Sequence, residues 1–207
     1  AVKLRINGTG LKSGQHIRHL TAEVGGGIGY AGPHFVHTFD LLLPPEKYFA
    51  EHPEYYALID GKRTAKHLYS QPCLSNPDVL HIMIEGIRAW LRDNPEARLV
   101  SVSQNDSFVI GSYCTCPACR AVNEEEGAPS GSLIRFVNAV AEALEPEFPE
   151  VTFDTLAYQY STQPPKLTHP RHNVAIRMCT GGCSSHPIPD CANNAGSADA
   201  IRGWSQI

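Results

Sequence analysis

The residues best suited to chemistry lie at 103–127, in a stretch that begins with Ser-Gln-Asn-Asp and ends on three consecutive glutamates and a glycine. This stretch directly follows the apolar run at 99–102. A short β-branched run that ends in polar side chains is typical of an α/β protein, because such proteins place reactive groups at the carboxyl ends of their strands. The pattern makes Asp106 the leading candidate for acid–base or nucleophilic chemistry.

Three cysteines in the same stretch, Cys114, Cys116 and Cys119, indicate a metal or redox element. Thiolates at this spacing can converge on one ion. Cys179 and Cys183 form a second cluster at the end of a later predicted strand, and Cys183 is the predicted fourth ligand. Four sulfurs in a tetrahedron suit zinc, and a closed shell of that kind is structural. The alternative is one disulfide between the two cysteine clusters with the other thiols buried, although seven cysteines cannot all pair within one chain.

Two amphipathic helices and three strands are predicted to position these groups. Asn76 is a natural N-cap, and apolar residues recur at helical spacing from there to Asn94, which predicts a helix over 77–93. The same spacing predicts a second helix over 131–145. Because strand-like runs alternate with these helices, we predict parallel strands with the helices on their outer side. The strands are expected at 98–103, 151–158 and 174–179.

The remaining segments give weaker patterns. Aromatic and β-branched residues predict a short strand at 33–39, and the glycine-rich run at 25–29 is interpreted as a flexible loop. Residues 44–63 are predicted to form a short helix and then a hairpin that turns at Asp60-Gly61. The tail at 195–206 is interpreted as a final helix.

The composition is that of an ordinary globular domain, with 42% apolar and 18% charged residues among 207. A formal net charge of −4 excludes a general attraction for nucleic acid or for an anionic membrane. No apolar run approaches the length of a bilayer span, and the start of the chain does not have the pattern of a signal peptide. We expect a single domain over residues 1–207, with 1–32 poorly defined.

Several motifs, in the same order, resemble those of the glycoside-hydrolase-like domain of unknown function 4838, which is found in bacterial polysaccharide-degrading multidomain proteins. They are the run at 42–63, Gln71-Pro-Cys-Leu-Ser-Asn-Pro77, Ser-Gln-Asn-Asp106, Cys-Thr-Cys-Pro-Ala-Cys119 and Tyr158-Gln-Tyr160. The resemblance covers roughly residues 33–190. It implies a (β/α)₈-type barrel related in shape to α-glucuronidases and hexosaminidases.

A full barrel of this type takes about 250 residues. Only four or five strands can be counted in this chain. We therefore expect an α/β fold of the parallel (β/α) barrel type that is an incomplete or excised portion of a TIM-like barrel.

Hydrolysis of a glycosidic bond uses one carboxyl group as the acid and a second as the nucleophile or base. The catalytic candidates are Asp106, Glu124 and Asp154. A run of charges such as Glu124 to Glu126 is also typical of a solvated face, and Asp154 could instead pair with Arg177 on a neighbouring strand. The residues predicted to bind substrate are His37, Gln104, Asn105, Tyr158, Tyr160 and Arg177, although the tyrosines could also be residues of the core edge.

Two functions of different classes remain open from the sequence. One is a carbohydrate-active glycoside hydrolase that acts on a polysaccharide or oligosaccharide, needs no cofactor and holds at most a structural zinc. The other is a non-catalytic module that binds carbohydrate or supports a neighbouring domain. We expect a secreted or periplasmic location, and a second copy or neighbouring domains of a larger chain as protein partners.

Overall fold

The computed structural model describes residues 29–68 and 70–207. The loop predicted at 25–29 therefore lies outside the described residues except for Gly29. The named elements, in chain order, are β1 (Tyr30–Ala31), α1 (Phe39–Leu42), α2 (Pro45–Tyr48), β2 (Leu58–Ile59), β3 (Lys62–Arg63), α3 (Pro77–Asp93), β4 (Leu99–Ser101), α4 (Pro117–Glu126), α5 (Ser130–Leu144), β5 (Thr152–Ala157), β6 (Val174–Met178) and α6 (Ala195–Trp204).

The main sheet has four strands in the order β1-β4-β5-β6, and every neighbouring pair is parallel. Strands that follow one another in space as they do in the chain, with helices between them, form the repeating unit of a (β/α) barrel. The predicted strands at 98–103, 151–158 and 174–179 are present and parallel. The expected α/β fold of an incomplete barrel is confirmed.

Helices α3 and α5 pack together against one face of this sheet. The Asn76 side chain caps α3 by accepting hydrogen bonds from the amides of Asp78 (2.8 Å) and Val79 (3.3 Å). The apolar stripes of both helices then join the strand residues in one core. This core contains Met83, Ile87, Leu91, Val100, Val137, Val140, Leu144 and Phe153. Both helix predictions are confirmed, with α5 beginning at Ser130.

The strand predicted at 33–39 is wrong, because β1 ends at Ala31. Gly32 follows with a φ of +86°, and a Cβ there would lie 2.6 Å from the Trp90 ring, so only glycine fits this turn. The chain then crosses the end of β4, where the amides of Thr38 (3.1 Å) and Phe39 (3.2 Å) donate to the Ser103 carbonyl. These two hydrogen bonds fix the start of α1. The aromatic residues of 33–39 therefore belong to a turn and to the first residue of a helix, not to a strand.

The hairpin and the tail agree with the sequence. Strands β2 and β3 pair in antiparallel register around Asp60 and Gly61, both with positive φ, as a tight hairpin turn requires. Helix α6 forms the predicted tail helix, and the Trp204 indole donates to the Thr162 carbonyl over 2.8 Å. In the described part of the chain, no helix is both long and apolar enough to cross a bilayer.

Helix α4 is absent from the sequence predictions. It begins with Pro117 at its first turn and ends at Gly127, which adopts the left-handed conformation that commonly terminates helices. Its ten residues carry only a weak apolar stripe. Its buried residues are Cys119 and Glu126, and one cysteine and one glutamate do not form an apolar stripe that the sequence would reveal.

Candidate functional site

Asp106 lies just past the carboxyl end of β4 and is half-buried. Its Oδ1 atom accepts hydrogen bonds from the Tyr158 hydroxyl and from the Ser107 amide, both at 2.9 Å. Burial, and then the bond to this carboxylate, raise the pKa of Tyr158, which therefore stays a hydrogen-bond donor. Within the described residues, Oδ2 of Asp106 has no hydrogen-bond partner. One oxygen is fixed and the other is available to a ligand.

Gln104 and Asn105 lie beside Asp106, but both are buried and form hydrogen bonds within the protein. The Gln104 amide donates to the Leu156 carbonyl (3.1 Å) and to the Ser161 hydroxyl (2.6 Å). Asn105 exchanges two backbone bonds with the Gln71 side chain, at 2.9 and 3.0 Å. These contacts hold the Asp106 loop in place. A direct contact of either side chain with substrate stays a prediction.

Two aromatic rings adjoin the Asp106 carboxylate. The His37 ring centroid lies 6.1 Å from that of Tyr158, and His37 Nδ1 is 2.8 Å from the Gln104 carbonyl. Tyr160 differs, because it is buried against Tyr113, and burial raises the pKa of its phenol. The structure thus brings His37 and Tyr158 to the sheet edge and places Tyr160 in the interior.

Asp154 forms an ion pair with Arg177. The sequence offered this pairing as the alternative to a catalytic role for Asp154. Its Oδ2 atom lies 3.2 Å from the Arg177 guanidinium and accepts a 2.5 Å hydrogen bond from Tyr30. Burial raises the pKa of Asp154, while Tyr30 and Arg177 oppose that shift. Arg177 also donates to the Phe35 carbonyl. Both charged residues are therefore used in joining β1, β5 and β6, and only 4% of Asp154 is exposed.

The three consecutive glutamates have different environments. Glu124 and Glu125 are exposed on α4, as a solvated face would be, and the Glu125 carboxylate lies 2.9 Å from the Arg135 guanidinium. For Glu126 the solvated-face interpretation is wrong, because its side chain is 0% exposed. Its two oxygens accept hydrogen bonds from Arg135, Thr168 and the Leu167 amide. Glu126 therefore ties the end of α4 to α5 and to the loop before β6.

Glu126→Gln is expected to lower the free energy of unfolding by about 3 kcal/mol at pH 7. Burial would raise the pKa of Glu126, but the bonds from Thr168, Leu167 and Arg135 outweigh it and lower that pKa from 4.5 to about 2. A lowered carboxyl pKa contributes stability above the unfolded value, and this contribution disappears as the pH falls towards 2. Urea unfolding at pH 7 and pH 3 measures it, with the exposed Glu124→Gln as control, because Glu125 shares Arg135 with Glu126. An equal loss at both pH values would contradict the ionic origin.

Four buried cysteines, Cys73, Cys114, Cys116 and Cys119, form one cluster whose sulfur atoms all lie within 4.8 Å of one another. The Cys73 sulfur is 3.6 Å from that of Cys116 and 3.8 Å from that of Cys119. A disulfide needs about 2.05 Å. Four thiolates around zinc at about 2.3 Å would be about 3.8 Å apart. The spacing fits a tetrahedral metal site, and all seven cysteines are free thiols.

Hydrogen-bond donors around the cluster face its sulfur atoms. The Leu58 amide donates to Cys114 over 3.3 Å, and the Ser75 hydroxyl donates to Cys119 over 3.0 Å. The Arg63 guanidinium is 3.7 Å from the Cys114 sulfur. Hydrogen bonds from neighbouring thiols lower the pKa of Cys114, and the same contacts raise the pKa of Cys73 and Cys119. Donors of this kind stabilise thiolates in metal sites.

The prediction that Cys183 completes this cluster is wrong. The fourth sulfur belongs to Cys73, because the 70–76 segment passes beside the start of α4. Cys183 lies in the loop after β6 and groups with His186 and Cys191. A disulfide between the two clusters is likewise absent, since Cys183 lies in the other group.

Asp40 and Cys73 are the two candidate residues that sequence reasoning missed. Asp40 lies at the start of α1, and its Oδ1 accepts a 2.6 Å hydrogen bond from the Asn105 amide. Burial raises the pKa of Asp40 despite that bond and the nearby His67. The Gln71-Pro-Cys73 motif was noted in the sequence, but its cysteine is 41 residues before Cys114, so local spacing gave no signal for a shared site.

Comparisons with known proteins give one family and two distant structures. The family model described as "Domain of unknown function (DUF4838)" matches residues 10–207. The chain is similar to the GH36 alpha-galactosidase AgaB from Geobacillus stearothermophilus, with 18% identity, 52% of this chain and 14% of that chain covered, and a TM-score of 0.33. It is also similar to a family GH13_31 enzyme, with 12% identity, 73% and 30% covered, and a TM-score of 0.39. The comparison with curated proteins found no match.

Proposed function

Since the chain belongs to the DUF4838 family, whose description names no activity, we propose a function from the chemistry of the sheet edge: it is the carbohydrate-active part of a glycoside hydrolase. Asp106 is the reacting carboxylate in this proposal. The observation that carries it is the state of that side chain, with Oδ1 held by Tyr158 and Ser107 and Oδ2 without a partner among the described residues. A carboxylate fixed by one oxygen is ready to act with the other.

Apolar and aromatic surface beside Asp106 supports a sugar as the ligand. Phe108 and Ile110 are 74% and 73% exposed and follow Asp106 on the same loop. The Tyr158 hydroxyl bonds the Asp106 carboxylate, and the His37 ring lies beside the Tyr158 ring. Sugar rings present apolar faces that aromatic side chains bind, while their hydroxyls need hydrogen-bonding partners.

Asp40 is the proposed proton donor. The side-chain amide of Asn105, the residue before Asp106, donates directly to the Asp40 carboxylate. Its raised pKa, caused by burial, keeps a proton on the group at higher pH than an exposed aspartate would hold it. Hydrolases separate the pKa values of two carboxyl groups in this way so that one acts as acid and the other as base or nucleophile.

A screen of aryl-glycosides and uronic-acid oligosaccharides tests this function. We expect at least one sugar class to be bound, as measured by calorimetry, and hydrolysed, as measured by release of the aryl group or of reducing ends. Binding without hydrolysis would support the non-catalytic carbohydrate-binding module instead. Neither binding nor hydrolysis across the panel would contradict both.

A structural zinc ion is the second part of the proposed function. The buried cluster of Cys73, Cys114, Cys116 and Cys119 favours it, because four thiolates in one dry space repel one another unless a cation neutralises them. The ion would join the 70–76 segment, the β2-β3 hairpin and α4. Elemental analysis of protein purified without added metal is expected to find zinc, and a zinc content that does not fall in Cys116→Ser would contradict this assignment.

A further inference from the structure

A second group of metal-ligating side chains lies in the loop between β6 and α6. The ligand atoms of Cys183, His186 and Cys191 all lie within 4.8 Å of one another. The Cys183 sulfur is 3.1 Å from Nδ1 of His186. We propose that these three residues bind a second zinc ion through two thiolates and one imidazole, and that the fourth coordination position is open to solvent or to a ligand. This site is separate from the four-cysteine cluster and goes beyond the proposed function.

The loop backbone is built to hold the two cysteines together. Asn194 is 2% exposed, and its side chain accepts from the Cys183 amide (2.7 Å) and donates to the Cys183 carbonyl (2.9 Å). The Asn194 amide donates to the Cys191 carbonyl over 2.8 Å. One buried residue thus fixes both cysteines of the group. A ligand set held by buried hydrogen bonds is preorganised for a metal, which an accidental cluster on a surface loop would not be.

The turn before Cys183 requires a glycine for Asn194 to reach Cys183. Gly182 has a φ of +110°, and a Cβ at that position would lie 2.5 Å from Oδ1 of Asn194. Any larger residue would therefore push Asn194 away from Cys183. Pro187 and Pro189 restrict the chain between His186 and Cys191. Metal binding should therefore cost the loop little conformational entropy, because its backbone is already restricted.

The donor set and its exposure indicate the metal and the coordination. Two sulfurs and one nitrogen favour zinc, and each thiol loses its proton to solvent on binding. The described structure offers three ligands here, against four in the buried cluster. His186 is exposed, and Cys179, the nearest other cysteine in sequence, does not belong to the group. Three protein ligands with an open position are the arrangement of catalytic zinc, whereas four closed ligands are structural.

The site belongs to the sheet edge that carries Asp106. The loop starts at the carboxyl end of β6, where the Cys179 amide donates to the Ala157 carbonyl over 3.1 Å. Ala157 ends β5, and Tyr158, the partner of Asp106, is the next residue. An ion at this edge would present an exchangeable water, or a hydroxyl of a bound ligand, close to the elements that carry the proposed carbohydrate site.

Zinc stoichiometry measured on five proteins, the unsubstituted chain and four variants, tests the proposal. After saturation with zinc and gel filtration, the unsubstituted chain is expected to hold two equivalents. Cys183→Ser, and separately the exposed His186→Gln, should each hold one after the same treatment, with at least a tenfold weaker second binding step. Cys179→Ser is the matched control and should keep two. Cys116→Ser should lose the other equivalent, so failure of one site is distinguishable from failure of the other.

Cobalt substitution tests the open position. Addition of imidazole to the cobalt form should shift the visible spectrum of the unsubstituted protein and of Cys116→Ser, but leave that of Cys183→Ser unchanged. Equal zinc content in the unsubstituted protein and in Cys183→Ser would overturn the site. A Cys183–Cys191 disulfide in freshly purified protein, found by mass spectrometry of unreduced peptides, would also overturn it. A spectrum that ignores imidazole would overturn the open coordination.

Discussion

Cys116→Ser is expected to remove the structural zinc and to lower the free energy of unfolding by roughly 4 kcal/mol, the contribution of a metal present at about a thousand times its Kd. For a chain of this size the melting temperature should fall by roughly 10 °C. The reason is that the cluster substitutes for a core where apolar side chains are few. Besides the four cysteines, the apolar cluster there contains Ala57, Leu58 and Ile59. Calorimetric melting of both proteins with and without a chelator measures the effect.

Two comparisons make that result specific. Cys179→Ser replaces an exposed thiol outside the cluster, so its melting temperature should not change. The chelator should lower the melting temperature of the unsubstituted protein far more than that of Cys116→Ser, which has already lost the buried ion. A chelator that destabilises neither protein would show that the thiols alone hold this region, and zinc would then have no structural role.

Loss of zinc should also disturb the position of the Asp106 loop. Gln71 lies two residues before Cys73 and holds both the amide and the carbonyl of Asn105. Asn105 in turn holds Asp40 and precedes Asp106. The metal and the proposed reacting groups are thus joined by one short run of buried hydrogen bonds. This connection links the proposed structural ion to the proposed carbohydrate site.

The sequence could predict those parts of the fold that depend on local pattern. Asn76 followed by Pro77 predicts the start of α3, and the 3.6-residue recurrence of apolar side chains identifies its buried face. Strands β4, β5 and β6 were found because their β-branched runs alternate with these helices. Asp106 was placed at a strand end for the same reason. Each of these features requires only neighbours within about 20 residues of the chain.

The sequence could not predict features that depend on distant partners. Cys73 joins a cluster more than 40 residues away, so spacing within the Cys114–Cys119 run gave no indication of it. Glu126 looks solvated in a run of glutamates, and only its bonds with Arg135 and Thr168 explain its burial. Residues 33–39 have strand-like composition, but Gly32 turns the chain across β4. In each case tertiary contacts override the local preference.

Asp106→Asn is the prediction with the largest effect on activity. For any sugar that the screen finds to be hydrolysed, turnover should fall by roughly 100- to 10,000-fold, the usual contribution of a positioned acid–base or nucleophilic group. The KM should change little, because asparagine keeps the shape of the side chain and can still accept from Tyr158 and Ser107 through its carbonyl oxygen. Initial rates across a range of substrate concentrations separate the two quantities.

Asp93→Asn provides the matched control, because Asp93 ends α3 on the exposed surface before β4, at the other edge of the sheet. It should leave turnover unchanged. The melting temperature of Asp106→Asn should stay within about 2 °C of the unsubstituted protein, since a half-buried aspartate with one oxygen unpaired contributes little to stability. A loss of turnover that follows a large fall in melting temperature would indicate a structural role. Full turnover in Asp106→Asn would exclude Asp106 from the reaction and leave Asp40 as the carboxyl group to examine next.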